Sequence, residues 1–173
     1  MLELSRSHRT LPDAPTLWEL FDYKPLTGEL IRKYKSGREK VVRYVSSDGY
    51  LAVKLIGENW YTHRIIWKWI NGSDPGAMTI DHIDGNRRNN TWINLRSADT
   101  TQQHANNHKS KGVYKRLLKN GRVRFQARIK GEDKRVYLGT FDTYDEARAS
   151  YVKAHVETYG EFSPYYKEFS EKA

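Results

Sequence analysis

The residues of this chain best suited to chemistry lie close together. Asp81 stands directly before His82, at the end of the short apolar run around Ile80. Asn94 follows twelve residues later, inside Trp92-Ile93-Asn94-Leu95. A helix-compatible stretch from Ala98 to Asn107 then carries Gln102, Gln103 and His104. A carboxylate can hold a hard metal ion, an imidazole can take a proton from water, and an amide can brace a loop. Together they are the parts needed to hydrolyse a phosphodiester. The order reads as strand, long loop, short strand, helix. Asp84, Gly85, Asn86, Asn89 and Asn90 read as loop formers, because Gly and Asn accept left-handed backbone.

The elements that must carry these residues fall into regions. After an unpatterned N-terminal stretch, Leu17 to Tyr23 is a short amphipathic segment, Lys24 to Gly28 a turn, and Glu29 to Tyr34 a strand. Val41–Val45 and Tyr50–Ile56 are expected to pair as a hairpin around Ser47-Asp48-Gly49, with a further turn at Gly57-Glu58-Asn59. His63 to Ile70 has helical periodicity and stops at Asn71-Gly72. Beyond the motif, a polar basic run is expected to be a linker. Three strands (Val113–Leu117, Arg122–Ile129, Arg135–Gly139) and a helix from Tyr144 to Tyr159 follow. Alternation in the middle strand puts Arg122, Arg124, Gln126 and Arg128 on one face and Val123, Phe125, Ala127 and Ile129 on the other. A helix stripe of Tyr144, Ala147, Tyr151, Ala154 and Thr158 is expected to cover the apolar face.

Charge adds a second line of argument. The 30 Lys and Arg outnumber the 21 Asp and Glu by nine. Eleven of the basic residues, against two acids, fall between Lys109 and Leu138, so the excess sits there and the rest of the chain is balanced. Such a patch gives sequence-independent affinity for a polyphosphate. Hydrophobic residues make up only 38% of the 173, which suits small modules better than one large core. The absence of cysteine excludes disulfides and thiolate zinc sites. No apolar run marks a signal peptide or membrane span, so a cytoplasmic protein with no membrane partner is expected.

The run "IDHIDGNRRNN…INLR" resembles the ββα-metal motif of HNH endonucleases, in the branch common among phage homing endonucleases. The resemblance implies His82 as general base and Asn94 as the brace that aims it. It implies Asp81 as a ligand of Mg2+ or Mn2+, with Gln103 or His104 as the helix ligand. Gln103 has the family spacing, and His104 would restore the letter pattern at a shifted position. Arg87, Arg88 and Arg96 become candidate phosphate contacts. His63 reads as packing or phosphate contact.

Gly112-Val113-Tyr114, "RFQARIK" and "YLGTFDTYDEARASYVKAHVETYGEF" resemble an AP2/ERF-type DNA-binding domain over residues 112–163. That resemblance implies a sheet lying in the major groove, with Lys115, Arg116, Arg122, Arg124, Gln126, Arg128, Lys130, Arg135 and Tyr137 as candidate DNA contacts. The expected fold class is α+β. It comprises a tail (1–15), an HNH nuclease domain (16–107), a linker (108–111), the AP2/ERF-like sheet-plus-helix domain (112–163) and a C-terminal tail (164–173). The expected function is metal-dependent, site-specific nicking of double-stranded DNA by a monomer of homing type. The alternative is an HNH-fold DNA-binding protein that no longer cuts, with RNA binding a third reading.

Overall fold

The computed structural model describes residues 10–106, 112–130 and 134–171. The expected linker at 108–111, the turn Gly131-Glu132-Asp133 and the first nine residues of the tail lie outside the described residues. Contacts divide the chain into two units, Met1–Asp99 and Thr100–Ala173. The division falls earlier than the linker read from composition.

In the first unit α1 spans Ala14–Leu20, with Pro15 in its first turn and the Asp13 side chain accepting from Thr16 N–H at 3.1 Å. Structure therefore begins within the expected tail, where Leu11 and Ala14 are buried. β1 (Phe21–Lys24), β2 (Glu29–Lys33) and β3 (Glu39–Val41) form an antiparallel sheet in that order. Phe21 and Tyr23 face the core while Asp22 and Lys24 face out, the period of two expected of a half-buried strand.

The expected hairpin around Ser47 is reduced to an isolated bridge, Val45 with Leu51. Instead β4 (Ala52–Leu55) pairs with β5 (Glu58–Tyr61) across Ile56-Gly57. Both residues have positive φ, 49° and 79°, the conformation that closes a two-residue hairpin. Isoleucine rarely adopts it, and the turn expected at Gly57-Glu58-Asn59 falls one residue earlier, with Glu58 and Asn59 in β5. α2 (Thr62–Asn71) ends at Gly72 in the left-handed region. β6 (Thr79–His82) pairs antiparallel with β7 (Leu95–Ala98). Leu17, Phe21, Leu30, Ile65, Ile66, Ile80 and Leu95 form one core, so α2 and the first sheet back the strand pair that carries Asp81 and His82.

The second unit contains α3 (Thr100–Ala105), β8 (Val113–Leu117), β9 (Val123–Lys130), β10 (Arg135–Phe141), α4 (Tyr144–Tyr159) and α5 (Tyr166–Ser170). The last is a helix where a tail was expected. The sheet is antiparallel in the order β10-β9-β8. Thr143 and Glu146 close a reciprocal capping box on α4. Ala127 and Ile129 are buried against Ala147 and Tyr151, with Phe125 beside them. Two details depart from the periodic reading. Val123 is exposed and Gln126 is buried. On α4 the buried stripe is Ala147, Tyr151, His155 and Val156, whereas Tyr144 and Thr158 are exposed. Among the described residues no helix is long and apolar enough to cross a membrane.

Two stability predictions follow from this packing. Gly28 has φ of 75°, and an added Cβ would lie 2.6 Å from the backbone of Asn90 and Thr91. Gly28→Ala should therefore cost roughly 2 kcal/mol or more in urea unfolding of the first unit. In the second unit, burial and then the Arg148 charge hold buried His155 down at about 4. Its ring also meets Ser163 Oγ at 3.0 Å and the rings of Tyr151, Tyr159 and Tyr165. The unfolded imidazole takes its proton near 6.5, so stability is full above that pH and falls as the pH drops towards 4. The loss should reach about 3 kcal/mol, and His155→Gln should flatten it in urea titrations at stepped pH.

Candidate active site

Asp81 and His82 occupy the last two positions of β6, opposite Arg96 and Leu95 of β7. Adjacent strand residues point to opposite faces, so the pair presents a carboxylate and an imidazole on two sides of one short ribbon. Both are buried, at 7% and 4% exposure. Arg96 donates to Asp81 Oδ2 from Nε at 3.0 Å and from Nη2 at 2.9 Å. This pair is well shielded from water. The guanidinium therefore compensates a carboxylate that burial would otherwise penalise. The arginine expected to touch phosphate is committed to this contact.

The loop after β6 is held by side-chain amides. Asn94 ends a 3₁₀ turn, Trp92–Asn94, rather than lying inside a strand. Its Nδ2 donates to Asp84 Oδ1 at 2.9 Å and to the Asn89 carbonyl at 2.7 Å, and its Oδ1 accepts from Asp84 N–H at 3.0 Å. Asp84 also accepts from Asn86 N–H and Asn89 Nδ2. Burial alone would raise the Asp84 carboxyl, but the bonds from Asn89, Asn86 and Asn94 bring it below its ordinary value. Asn94 thus bonds across the loop as expected, but to Asp84 and Asn89.

The amide that meets His82 is Asn90, a residue read from the sequence only as a loop former. Its Oδ1 lies 2.9 Å from His82 Nε2, and the residue is 1% exposed. The Asn90 carbonyl accepts from Tyr23 Oη at 2.7 Å. Burial pushes the Tyr23 phenol up to about 12, so it remains a donor at every working pH. The only sequence signal for Asn90 was its place in a loop too rich in asparagine for turn formation alone.

Aromatic rings surround the other sides of His82. His63 stands edge-on at 5.2 Å between centroids, and Tyr50 lies 5.8 Å away. His63 stacks on Tyr61 and is held neutral by burial, then by the neighbouring His82 and Arg64, down to about 3. Its Nδ1 is buried with no hydrogen-bond partner. Burial also pushes His82 down. The Asn90 hydrogen bond and the charges of Asp81 and Asp84 act the other way. His82 is thus a neutral imidazole at neutral pH, the state a proton acceptor requires. Arg87 is exposed, rests on the Tyr50 ring and donates to the Asp48 carbonyl, and Arg88 is exposed.

The remaining candidates lie in the second unit. Gln103 is half-buried and His104 exposed on α3. On the sheet, pairing puts Arg116 opposite Arg124, Tyr137 opposite Arg128 and Arg135 opposite Lys130, so these share one face with Gln126. Lys115 pairs with Phe125 and so lies on the helix side. Within the shared face Arg124 binds Asp142 at 2.8 Å, and Arg128 donates to Gln126 at 2.9 Å. Arg116, Arg122, Arg128, Lys130, Arg135 and Tyr137 are exposed.

Removing Arg96 tests the strand pair. Arg96→Ala leaves a buried carboxylate uncompensated and should destabilise the first unit by roughly 3 kcal/mol. Adding Asp81→Asn should recover part of that loss in the same urea unfolding measurement.

Comparisons with known proteins bear on this site. Residues 60–105, from β5 through α3, match the HNH endonuclease family. An uncharacterized HNH endonuclease of Acanthamoeba polyphaga mimivirus is 30% identical over 121 residues, 69% of this chain and 64% of the relative. The chain thus spans just under two thirds of that relative's length. A solved structure of DNA binding and cleavage by the HNH homing endonuclease I-HmuI is 27% identical over 52% of each chain, with a TM-score of 0.39. The family match covers residues 60–105, the stretch that contains Asp81, His82, Asn90 and Asn94.

Proposed function

We propose that this chain is a metal-dependent endonuclease of homing type that nicks double-stranded DNA. The observation that carries the reading is His82. It is buried, neutral and hydrogen-bonded at Nε2, and it stands next to a carboxylate on a strand pair braced by an asparagine-bonded loop. In the proposed reaction His82 accepts a proton from water as the water oxygen attacks phosphorus. The bond from phosphorus to the 3′ oxygen breaks with its electron pair leaving on that oxygen, which takes a proton from solvent, so the products are a 5′ phosphate and a 3′ hydroxyl. Asn94 holds the loop that closes beside the site.

The donor chemistry available suits a hard divalent ion, Mg2+ or Mn2+. Asp81 offers carboxylate oxygen, and such ions are commonly held by one or two carboxylates completed by substrate phosphate and water. Among the described residues no three His, Cys, Asp or Glu side chains gather into a protein cage. When bound, the ion would stabilise charge on the departing 3′ oxygen. Gln103 or His104 is the helix ligand expected from the sequence. The second unit, with Arg116, Arg122, Arg128, Lys130, Arg135 and Tyr137 exposed on or beside its sheet, is proposed as the targeting module of AP2/ERF type.

The competing reading is a DNA-binding protein that does not cut. It draws on the Arg96 guanidinium already seated on Asp81.

Cleavage of supercoiled plasmid carrying candidate target DNA decides between them, with Mg2+ or Mn2+ against EDTA. The expected result is metal-dependent conversion to open circle. His82→Ala should lower the rate about 10²- to 10⁴-fold. Of Gln103→Ala and His104→Ala, the inactive variant identifies the helix ligand. Tight binding with no cleavage under any metal would overturn the nuclease reading.

A further inference from the structure

His82 has two ring nitrogens, and only one of them can carry the proton in the neutral ring. Which one decides the atom that takes a proton from water. The choice is made by the neighbour on the other nitrogen. That neighbour is Asn90 Oδ1, 2.9 Å from Nε2. An amide oxygen only accepts, so the ring proton belongs on Nε2 and the basic lone pair on Nδ1.

Asn90 is itself held from the N-terminal sheet. The Tyr23 hydroxyl donates to its carbonyl, and Trp92 N–H donates to the Pro25 carbonyl at 3.0 Å. Gly28 lies so close that a methyl group there would overlap the Asn90 backbone. The backbone carrying Asn90 is thereby seated on the turn between β1 and β2. The side chain shows a local conflict as well. Asn90 Nδ2 is buried and makes no hydrogen bond. A buried amide is ordinarily satisfied at both ends. Polar groups left unsatisfied in this way concentrate where a side chain serves function rather than stability. Turning the amide over would aim N–H at the imidazole and force its proton onto Nδ1.

We propose that Asn90 is the positioning residue of His82. Its Oδ1 accepts the Nε2 proton, makes Nδ1 the nitrogen that receives a proton from water, and is held in register by Tyr23 and the Gly28 turn. The catalytic consequence rests on the nuclease reading above. The tautomer does not.

The test uses the full chain labelled with 15N-histidine, with His82 signals assigned by comparison with His82→Gln. Long-range 1H–15N correlation at neutral pH reports the protonated nitrogen directly. The expected pattern is Nε2–H in the wild type and in Asn90→Asp, which keeps an acceptor oxygen, and a tautomer mixture in Asn90→Ala. In plasmid nicking, Asn90→Ala should lose about 10- to 100-fold in rate while DNA affinity is retained, and Asn90→Asp should recover most of it. Tyr23→Phe, which keeps the ring and the core, should give an intermediate loss and serves if Asn90→Ala fails to fold. A wild-type ring protonated at Nδ1 would overturn the proposal, as would Asn90→Ala with unchanged tautomer and rate. If the wild type never cuts but shows Nε2–H that Asn90→Ala disturbs, the nuclease reading fails and the positioning role stands.

Discussion

The first unit turns on one buried amide. Asn90 is almost wholly enclosed, and it touches both the imidazole of His82 and the hydroxyl of Tyr23. A hydrogen bond of this kind is worth little net stability when compared with water, but its geometry is strict once water is excluded. The loop after β6 is therefore held by specific bonds at Asn89, Asn90 and Asn94 rather than by apolar packing. Its tip, Asp84 to Arg88, stays exposed. A loop that is polar by composition is thereby made rigid where the imidazole needs it and left open where a substrate could approach.

The charged partner of the site follows a different rule. Asp81 and Arg96 face each other across β6 and β7, and the short strand pair gives the carboxylate little water. Burying such a pair seldom adds stability relative to an apolar one, so its retention points to a demand for charge at that position. Around His82 the same exclusion of water comes from rings. Tyr50 and His63 pack against the imidazole, and burial keeps it neutral, with the Arg87 charge acting the same way.

Much of this was legible in the sequence, for reasons that can be stated residue by residue. The β-branched start of β6 and the polar loop after it marked the strand and its end. Asn71-Gly72 marked the end of α2, because a glycine there closes the last turn in the left-handed conformation. What escaped was non-local. Ile56-Gly57 closes a hairpin against the preference of isoleucine, with the pairing of β4 and β5 deciding the matter. Asn90 and Asn94 are the same residue type four positions apart, and only the fold distinguishes the one that meets His82. The partner of His155, Ser163, lies beyond the end of α4, so no local pattern announces the contact.

The clamp on Asn90 also bears on how much chain the site needs. The stretch 60–105 contains Asp81, His82, Asn90 and Asn94, but the hydroxyl that holds Asn90 comes from residue 23 and the turn that seats its backbone ends at residue 28. A transplanted motif alone would carry its acid and base without their alignment. The smallest portable form of this centre is the strand pair together with the N-terminal sheet, and any graft or chimaera would have to keep that seam intact.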